Sequence, residues 1–330
     1  MKRLWIKKLL LVLSSLAFCV ICIFLLELCT RLIRPDINFQ DTERSLLREK
    51  VFGETEGWQP NASGISFGTR ATIDEFGFRK LASPDKPAAS WLILGDSVTF
   101  GVGVADEEIY VQLLQNDLPT VKLWNTAMIG YNIKDYRNVL HHFTVARQNR
   151  PDIKRVILFF CLNDLDLGQR LEKGQGPSLG TPGFAAQIMS YLRRHSKFYM
   201  LAKNAMSDRS RVYFLNDLQL YKEDGEDFKL ATNMLSEMQT FLQARGIDFT
   251  IVIPPYEYQL RTKDEKHLIP QKLLTAYFKE KGIAYIDAYE HFARFGGDVS
   301  QNFLYADFAH LSTNGHRLMY NLLKEKIKTE

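Results

Sequence analysis

Cysteine is scarce in this chain: there are four in 330 residues, and three of them, Cys19, Cys22 and Cys29, fall within the first 29 positions. A disulfide-stapled scaffold is therefore excluded, and Cys161 has no partner for an intradomain bridge. Proline (11) and glycine (20) are too few for a collagen-like or low-complexity chain, and 46% hydrophobic residues exclude dominant disorder. Neither GxGxxG nor a Walker lysine is present, since Gly101-Val102-Gly103 runs on into Val104-Ala105-Asp106. A phosphate-cradling loop is not expected. No internal repeat is found. His195, His267 and His291 have no acidic cluster around them, so neither a metal nor another cofactor is expected.

The body of the chain also lacks an excess of positive charge. The formal net charge is +4, but six of the 42 basic residues and one of the 38 acidic residues lie in 1–34, leaving 36 against 37. A nucleic-acid footprint is thereby excluded. The positive charge belongs to the amino terminus, where MKRLWIKK precedes eighteen residues without a charge, Leu9 to Leu26. At 1.5 Å per residue such a helix is about 27 Å long, close to the hydrocarbon thickness of a bilayer. The run continues as FLLELCTRLIRP with no A-x-A exit, which favours an uncleaved signal anchor over a cleaved signal peptide. Lys2, Arg3, Lys7 and Lys8 ahead of the run, against Arg31 and Arg34 behind it, predict a cytoplasmic amino terminus and an extracytoplasmic remainder.

Residues 1–34 are thus expected to form the anchor, contacting the lipid bilayer through residues 9–26. The Gly-, Ser- and Pro-containing stretch 35–89 reads as a stalk and entry segment, and 90–330 as the principal domain. Short apolar runs at 91–95, 121–126, 153–160, 249–255 and 283–288 read as strands, the third richest in β-branched and aromatic residues. Helical patterns separate them: one from Ser97 to about Asp117, one over Ile133 to Gln148, and others ending near Gly246 and Gly282. Strands buried on both faces and joined by helices imply an open, mostly parallel α/β sheet. An insert at about 165–245 carries a loop, GQGPSLGTPG, and an amphipathic helical pattern through Ile188, Leu192, Tyr199 and Ala202. It reads as a helix over the sheet edge, with a substrate lid or a membrane contact as alternatives.

Sites in such sheets gather at the carboxyl ends of the strands. Three loops qualify: Gly95-Asp96-Ser97, Ala127 to Asn132, and Cys161 to Asp164. Ser97 stands where a strand turns into a helix, so it either caps that helix or acts as a nucleophile. A serine nucleophile needs a base, and His310 stands three residues after Asp307 in LYADFAHLSTNGH. Asp307 could orient His310 toward the serine, although Asp-x-x-His alone also describes an ordinary surface loop. His316 reads as a packing or surface residue.

Four motifs then combine. GDSVTFG at 95–101, Gly130 in NTAMIGYN, Asn163 in CLND and Asp307-x-x-His310 occur in the order and spacing of the four blocks of the SGNH (GDSL-type) hydrolases. The chain resembles that family from about Trp91 to its carboxyl terminus. The resemblance implies a flavodoxin-like three-layer α/β/α fold with a mostly parallel five-stranded sheet behind one amino-terminal transmembrane helix. It also implies Ser97 as nucleophile, His310 as base, Asp307 as its orienter, and an oxyanion hole from the Ser97 and Gly130 amides and the Asn163 side chain. TIDEFGFRK, ahead of the first strand, resembles the lead-in of membrane-anchored bacterial members. Two positions depart from the pattern: Val98 replaces a leucine, and Cys161 replaces the third block's glycine, adding a side chain where the backbone is expected to run tight. The expected function is a serine esterase acting on acylated small molecules or glycans. The alternatives are an O-acyltransferase working on an envelope polysaccharide and a catalytically silent glycan-binding scaffold.

Overall fold

A computed structural model describes residues 2–146, 151–167, 184–295 and 297–327. Helix α1 (Lys2–Ile33) contains the charge-free run. Two hairpins follow, β1 (Leu47–Phe52) with β2 (Thr55–Trp58) and β3 (Ser63–Ser66) with β4 (Thr69–Thr72), both antiparallel. The alternating part comprises β5 (Ala89–Leu94), α2 (Ser97–Phe100), α3 (Tyr110–Asn116), β6 (Val121–Asn125), α4 (Ile133–His141) and β7 (Ile153–Phe159). The insert supplies α5 (Phe184–His195), α6 (Lys197–Met206) and α7 (Arg209–Leu218), and α8 (Glu226–Gln243) leads back to the sheet. The chain closes with β8 (Asp248–Ile253), α9 (Glu257–Thr262), α10 (Ile269–Lys281), β9 (Ala284–Asp287), α11 (Tyr289–Ala293) and α12 (Thr313–Lys326).

β5 to β9 form one five-stranded sheet, ordered β6-β5-β7-β8-β9 and parallel throughout. Helix α3 packs against α12 and α4 against α8, giving the helical layers of an α/β/α sandwich. Leu92, Ile93, Val156, Ile157, Leu158, Ile251 and Val252 are fully buried between them. Burial on both faces explains why these strands are continuous apolar runs rather than alternating ones. The order turns back between β5 and β7, so the loops leaving β5, β6 and β7 converge at one end of the sheet.

Several expectations are corrected. The single helix predicted from Ser97 to Asp117 is two helices, because Gly101 adopts a left-handed conformation (φ +80°) and ends α2 after four residues. Glycine takes this conformation without the Cβ penalty. Helix α4 ends at His141 and continues as a π-helical turn through Ala146, while 147–150 lie outside the described residues. The amphipathic pattern of the insert is broken at Ser196, whose Oγ accepts from Tyr199 N at 3.0 Å and starts α6 as a separate helix. The loop GQGPSLGTPG lies outside the described residues.

The largest correction concerns 35–89, which is not a stalk. Leu46, Phe52, Trp58, Ala71, Ile73 and Phe78 join the main hydrophobic core, and Phe78 and Phe143 rings lie 5.2 Å apart. Strands of four residues are too short to display a period-2 pattern, so the polar, Gly-containing sequence concealed them.

Candidate active site

The loop after β5 brings Ser97 to the carboxyl edge of the sheet. Asp96 caps α2, its Oδ1 accepting from Val98 N at 2.9 Å, and burial pushes its carboxyl pKa up. Ser97 then begins α2, almost entirely buried. From below, Arg79 holds the other end of α2. Its Nη1 donates to the carbonyls of Phe100 (3.1 Å) and Gly101 (3.3 Å), its Nη2 to Val104 (2.8 Å), and its Nε to Asp106 Oδ1 (2.6 Å). These carbonyls have no helical continuation to bond to.

The loop before α12 supplies the partners of Ser97. His310 Nε2 lies 2.8 Å from Ser97 Oγ, and His310 Nδ1 lies 2.9 Å from Asp307 Oδ2. Asp307 is 2% exposed and fixed by its other oxygen, Oδ1, which accepts from the backbone N–H groups of Ala309 and His310, each at 3.0 Å. Burial alone would raise the Asp307 pKa, but the charge of His310, its side-chain contact and the two backbone donors outweigh it and hold it at about 2. For His310, burial works toward a lower pKa, yet the Asp307 charge prevails and the net direction is upward. Phe67 and Phe308 edge-pack around the imidazole, with centroids at 5.2 and 5.8 Å, and Tyr213 of α7 stacks on Phe308 at 4.6 Å. The insert thus reaches the rim of the site.

Gly130 lies in a turn closed by Tyr131 N donating to Met128 O (3.3 Å), with φ +84°. That is the value the third position of a type II turn demands, and it suits glycine. The turn's bond uses the Tyr131 amide, so the Gly130 N–H is not spent on it. Two groups of the hairpin segment grip this loop: Trp58 Nε1 donates to Ala127 O at 3.0 Å, and Tyr131 Oη donates to Glu56 O at 2.5 Å.

Asn163 lies in the 3-10 turn Leu162–Leu165 that follows β7. Asp164 anchors the turn, its Oδ2 accepting from Cys161 N (2.7 Å) and Tyr136 Oη (2.8 Å); burial drives its pKa well upward. Cys161 has φ −75°, an ordinary extended conformation, and its side chain is buried in the core. The tight backbone expected there is absent, so a side chain is accommodated. Tyr256 Oη lies 3.1 Å from Asn163 Oδ1 and 2.9 Å from Asp217 Oδ2. With its oxygen engaged, the Asn163 amide has its Nδ2 available to donate.

The four sequence blocks therefore converge at one edge of the sheet. Trp58, Asp217 and Tyr256, which help to brace them, lie in no motif, while Arg79 falls in TIDEFGFRK and Tyr131 in NTAMIGYN with nothing there to mark a bracing role. Tyr256 alone had a usable signal, since it follows β8 in IVIPPY and the strand-end rule extends to that loop. His316 is buried and structural: its Nδ1 accepts from Tyr110 N at 3.1 Å, and burial lowers its pKa to about 3. Among the described residues no group of three or more His, Cys, Asp or Glu is placed to hold a metal. A cleft of about 870 Å³ opens beside Asp307, and Arg34, Asp36 and Asn38, just past α1, help to line it.

No curated protein matches the chain. Among solved structures, a lipolytic protein of the G-D-S-L family from Veillonella parvula is 16% identical, with 73% of this chain and 98% of that chain covered and a TM-score of 0.42. A catalytic mutant of Axe2, an acetylxylan esterase from Geobacillus stearothermophilus, is 12% identical, with 74% and 96% covered and a TM-score of 0.45. The model of the GDSL-like lipase/acylhydrolase family matches residues 93–318, well over half of the chain and a span that contains all four blocks. The chain belongs to that family, and it is a GDSL-type hydrolase acting on ester bonds.

Proposed function

We propose that the protein is a membrane-anchored serine esterase that removes acyl groups, O-acetyl included, from small molecules or glycans. The observation that carries this reading is the unbroken contact chain from Ser97 Oγ through the His310 ring to Asp307, with the carboxylate buried. A helix-capping serine alone would need neither partner. In the proposed mechanism His310 Nε2 takes the Ser97 proton as Oγ attacks the ester carbonyl. Asp307 keeps the imidazole oriented and offsets the charge it acquires. The oxyanion accepts hydrogen bonds from the Ser97 and Gly130 N–H groups and from Asn163 Nδ2, each donor worth about 10²- to 10³-fold in rate. Collapse expels the alcohol, which takes the proton from His310, and water activated by the same nitrogen then releases the acid.

The membrane part of the reading rests on Trp5–Ile33, long and apolar enough to span and without burial against the domain along its most apolar stretch. The basic residues ahead of that stretch favour a cytoplasmic amino terminus and an extracytoplasmic hydrolase. We accordingly divide the chain into an anchor, 1–34, and a hydrolase unit that includes the hairpins.

The test uses the detergent-solubilised full chain with p-nitrophenyl acetate and butyrate, beside Ser97→Ala. A loss of at least about 10³-fold is expected. Equal rates from two folded proteins would sink the reading and leave the scaffold alternative. Acylated product on an added oligosaccharide, in place of free acid, would redirect it to acyl transfer. A carboxyl-terminal alkaline phosphatase fusion that stays inactive would reverse the orientation.

A further inference from the structure

The insert carries an apolar stripe that the described residues leave exposed. On α5, Phe184, Ile188 and Tyr191 stand at i, i+4 and i+7, hence on one face of the helix, and are 79%, 43% and 63% exposed. The helix is nonetheless tied to the protein by other groups, with Arg194 paired to Asp41 and the Arg193 carbonyl accepting from Gln40 N at 3.4 Å. Exposed apolar patches of this kind mark an interaction site.

What occupies the patch is indicated by where α5 ends. The junction between α5 and α6 is bonded to the last turns of α1. Glu27 Oε2 accepts from Ser196 Oγ (2.8 Å) and Phe198 N (2.9 Å), and its Oε1 accepts from Lys197 N (3.0 Å). Arg31 bonds Glu27 Oε1 at 2.6 Å and reaches the His195 carbonyl at 2.6 Å. The α1 carboxylate thus bonds the free N–H groups at the start of α6. Glu27 is the first charged residue after the apolar run ending at Leu26, so this latch sits where hydrocarbon gives way to headgroups. Residues 184–206 contain Arg193, Arg194, Lys197 and Lys203 and no carboxylate. An apolar stripe flanked by basic residues, Arg193 and Arg194 at the end of α5 and Lys197 and Lys203 on α6, suits a membrane interface.

We propose that α5 lies on the bilayer beside α1 with Phe184, Ile188 and Tyr191 in the lipid interface, latched at that height by Glu27. The inference rests on the reading of α1 as membrane-spanning. It makes the anchor a fixed mount rather than a loose tether, and seats the cleft beside Asp307 close to the membrane.

The test is depth-resolved quenching in nanodiscs of phosphatidylcholine and phosphatidylglycerol. The full chain carries Cys19, Cys22 and Cys29 changed to alanine, and single NBD-labelled cysteines replace Leu16, Phe184, Ile188, Tyr191 or Lys272. Doxyl lipids are expected to quench positions 16, 184, 188 and 191 and to leave 272 unaffected. Quenching at 16 without quenching at 184, 188 and 191 overturns the docking while the spanning helix stands. No quenching at 16 overturns the spanning reading and the docking with it. Protection of 188 and 191 by self-association in detergent, without lipid quenching, assigns the stripe to a second copy and overturns the lipid partner. Glu27→Ala is expected to weaken quenching at 188 at least twofold and to leave position 16 unchanged; equal quenching at 188 overturns the latch.

Discussion

Arg79 Nη1 donates to the carbonyl of Phe100 at 3.1 Å, and the guanidinium carbon stands 4.6 Å from the Phe100 ring centroid. A residue from the segment that the sequence presents as a stalk therefore closes the helix that begins with Ser97. The guanidinium is 1% exposed and its partner Asp106 remains partly in water. Removing Arg79 leaves the carbonyls of Phe100, Gly101 and Val104 buried without that donor.

Arg79→Ala is accordingly expected to cost at least about 2 kcal/mol, since each buried carbonyl left without a donor costs about 1 to 3 kcal/mol. Thermal unfolding in detergent would measure it. A shift of under 1 °C would mean that water replaces the guanidinium and that the segment is held by its apolar contacts alone.

The direction of the His310 shift predicts the acid limb of the pH profile. The base works only when neutral, and Asp307 pushes its pKa above the ordinary 6.5. Activity should fall as pH drops through an apparent pKa above that value. In Asp307→Asn the raising charge is lost while burial persists, so the limb moves to lower pH and the plateau drops about 10²- to 10⁴-fold. A limb that stays in place would show that the titrating group is not His310.

Much of this site was legible because its chemistry is spaced along the chain in short motifs at strand ends. Ser97, Gly130, Asn163, Asp307 and His310 each follow or precede a regular element, and the strands themselves are apolar runs that stand out in any window. The supports were not legible for a definite reason. Arg79, Trp58 and Tyr256 act across 21, 69 and 93 positions of sequence, and nothing local distinguishes a bracing arginine from a solvated one. The break of the helix after Ser97 was partly visible in the glycines at 101 and 103. Three of the four hairpin strands were hidden because alternation over four residues does not separate a strand from a polar loop.

Tyr256→Phe tests the bracing of the oxyanion loop. Deleting the hydroxyl removes the contact at Asn163 Oδ1 and frees the amide to rotate. We expect kcat to fall about tenfold with KM little changed, because an interaction made mainly in the transition state is weakened. Asn163→Ala should cost about 10²- to 10³-fold, and combining the two should add little to Asn163→Ala alone. Strictly additive losses would separate Tyr256 from Asn163.

Cys161 offers the last prediction, and it follows from burial rather than from position in the motif. Although it adjoins the Asn163 turn, its thiol is driven well above the ordinary cysteine range by burial and by the neighbouring Asp96 and Asp164 carboxyls. A thiol held protonated and out of contact with solvent is a poor nucleophile. In a chain with Cys19, Cys22 and Cys29 replaced by alanine, iodoacetamide should leave Cys161 unmodified in the folded state and alkylate it in guanidinium, as read by intact mass. Cys161→Gly should put the family's residue in place without raising activity. At φ −75° the backbone needs no glycine, and the deletion opens a cavity that costs about 1 kcal/mol. Rapid alkylation of the folded protein, blocked by an ester substrate, would instead put the thiol on the open side of the loop.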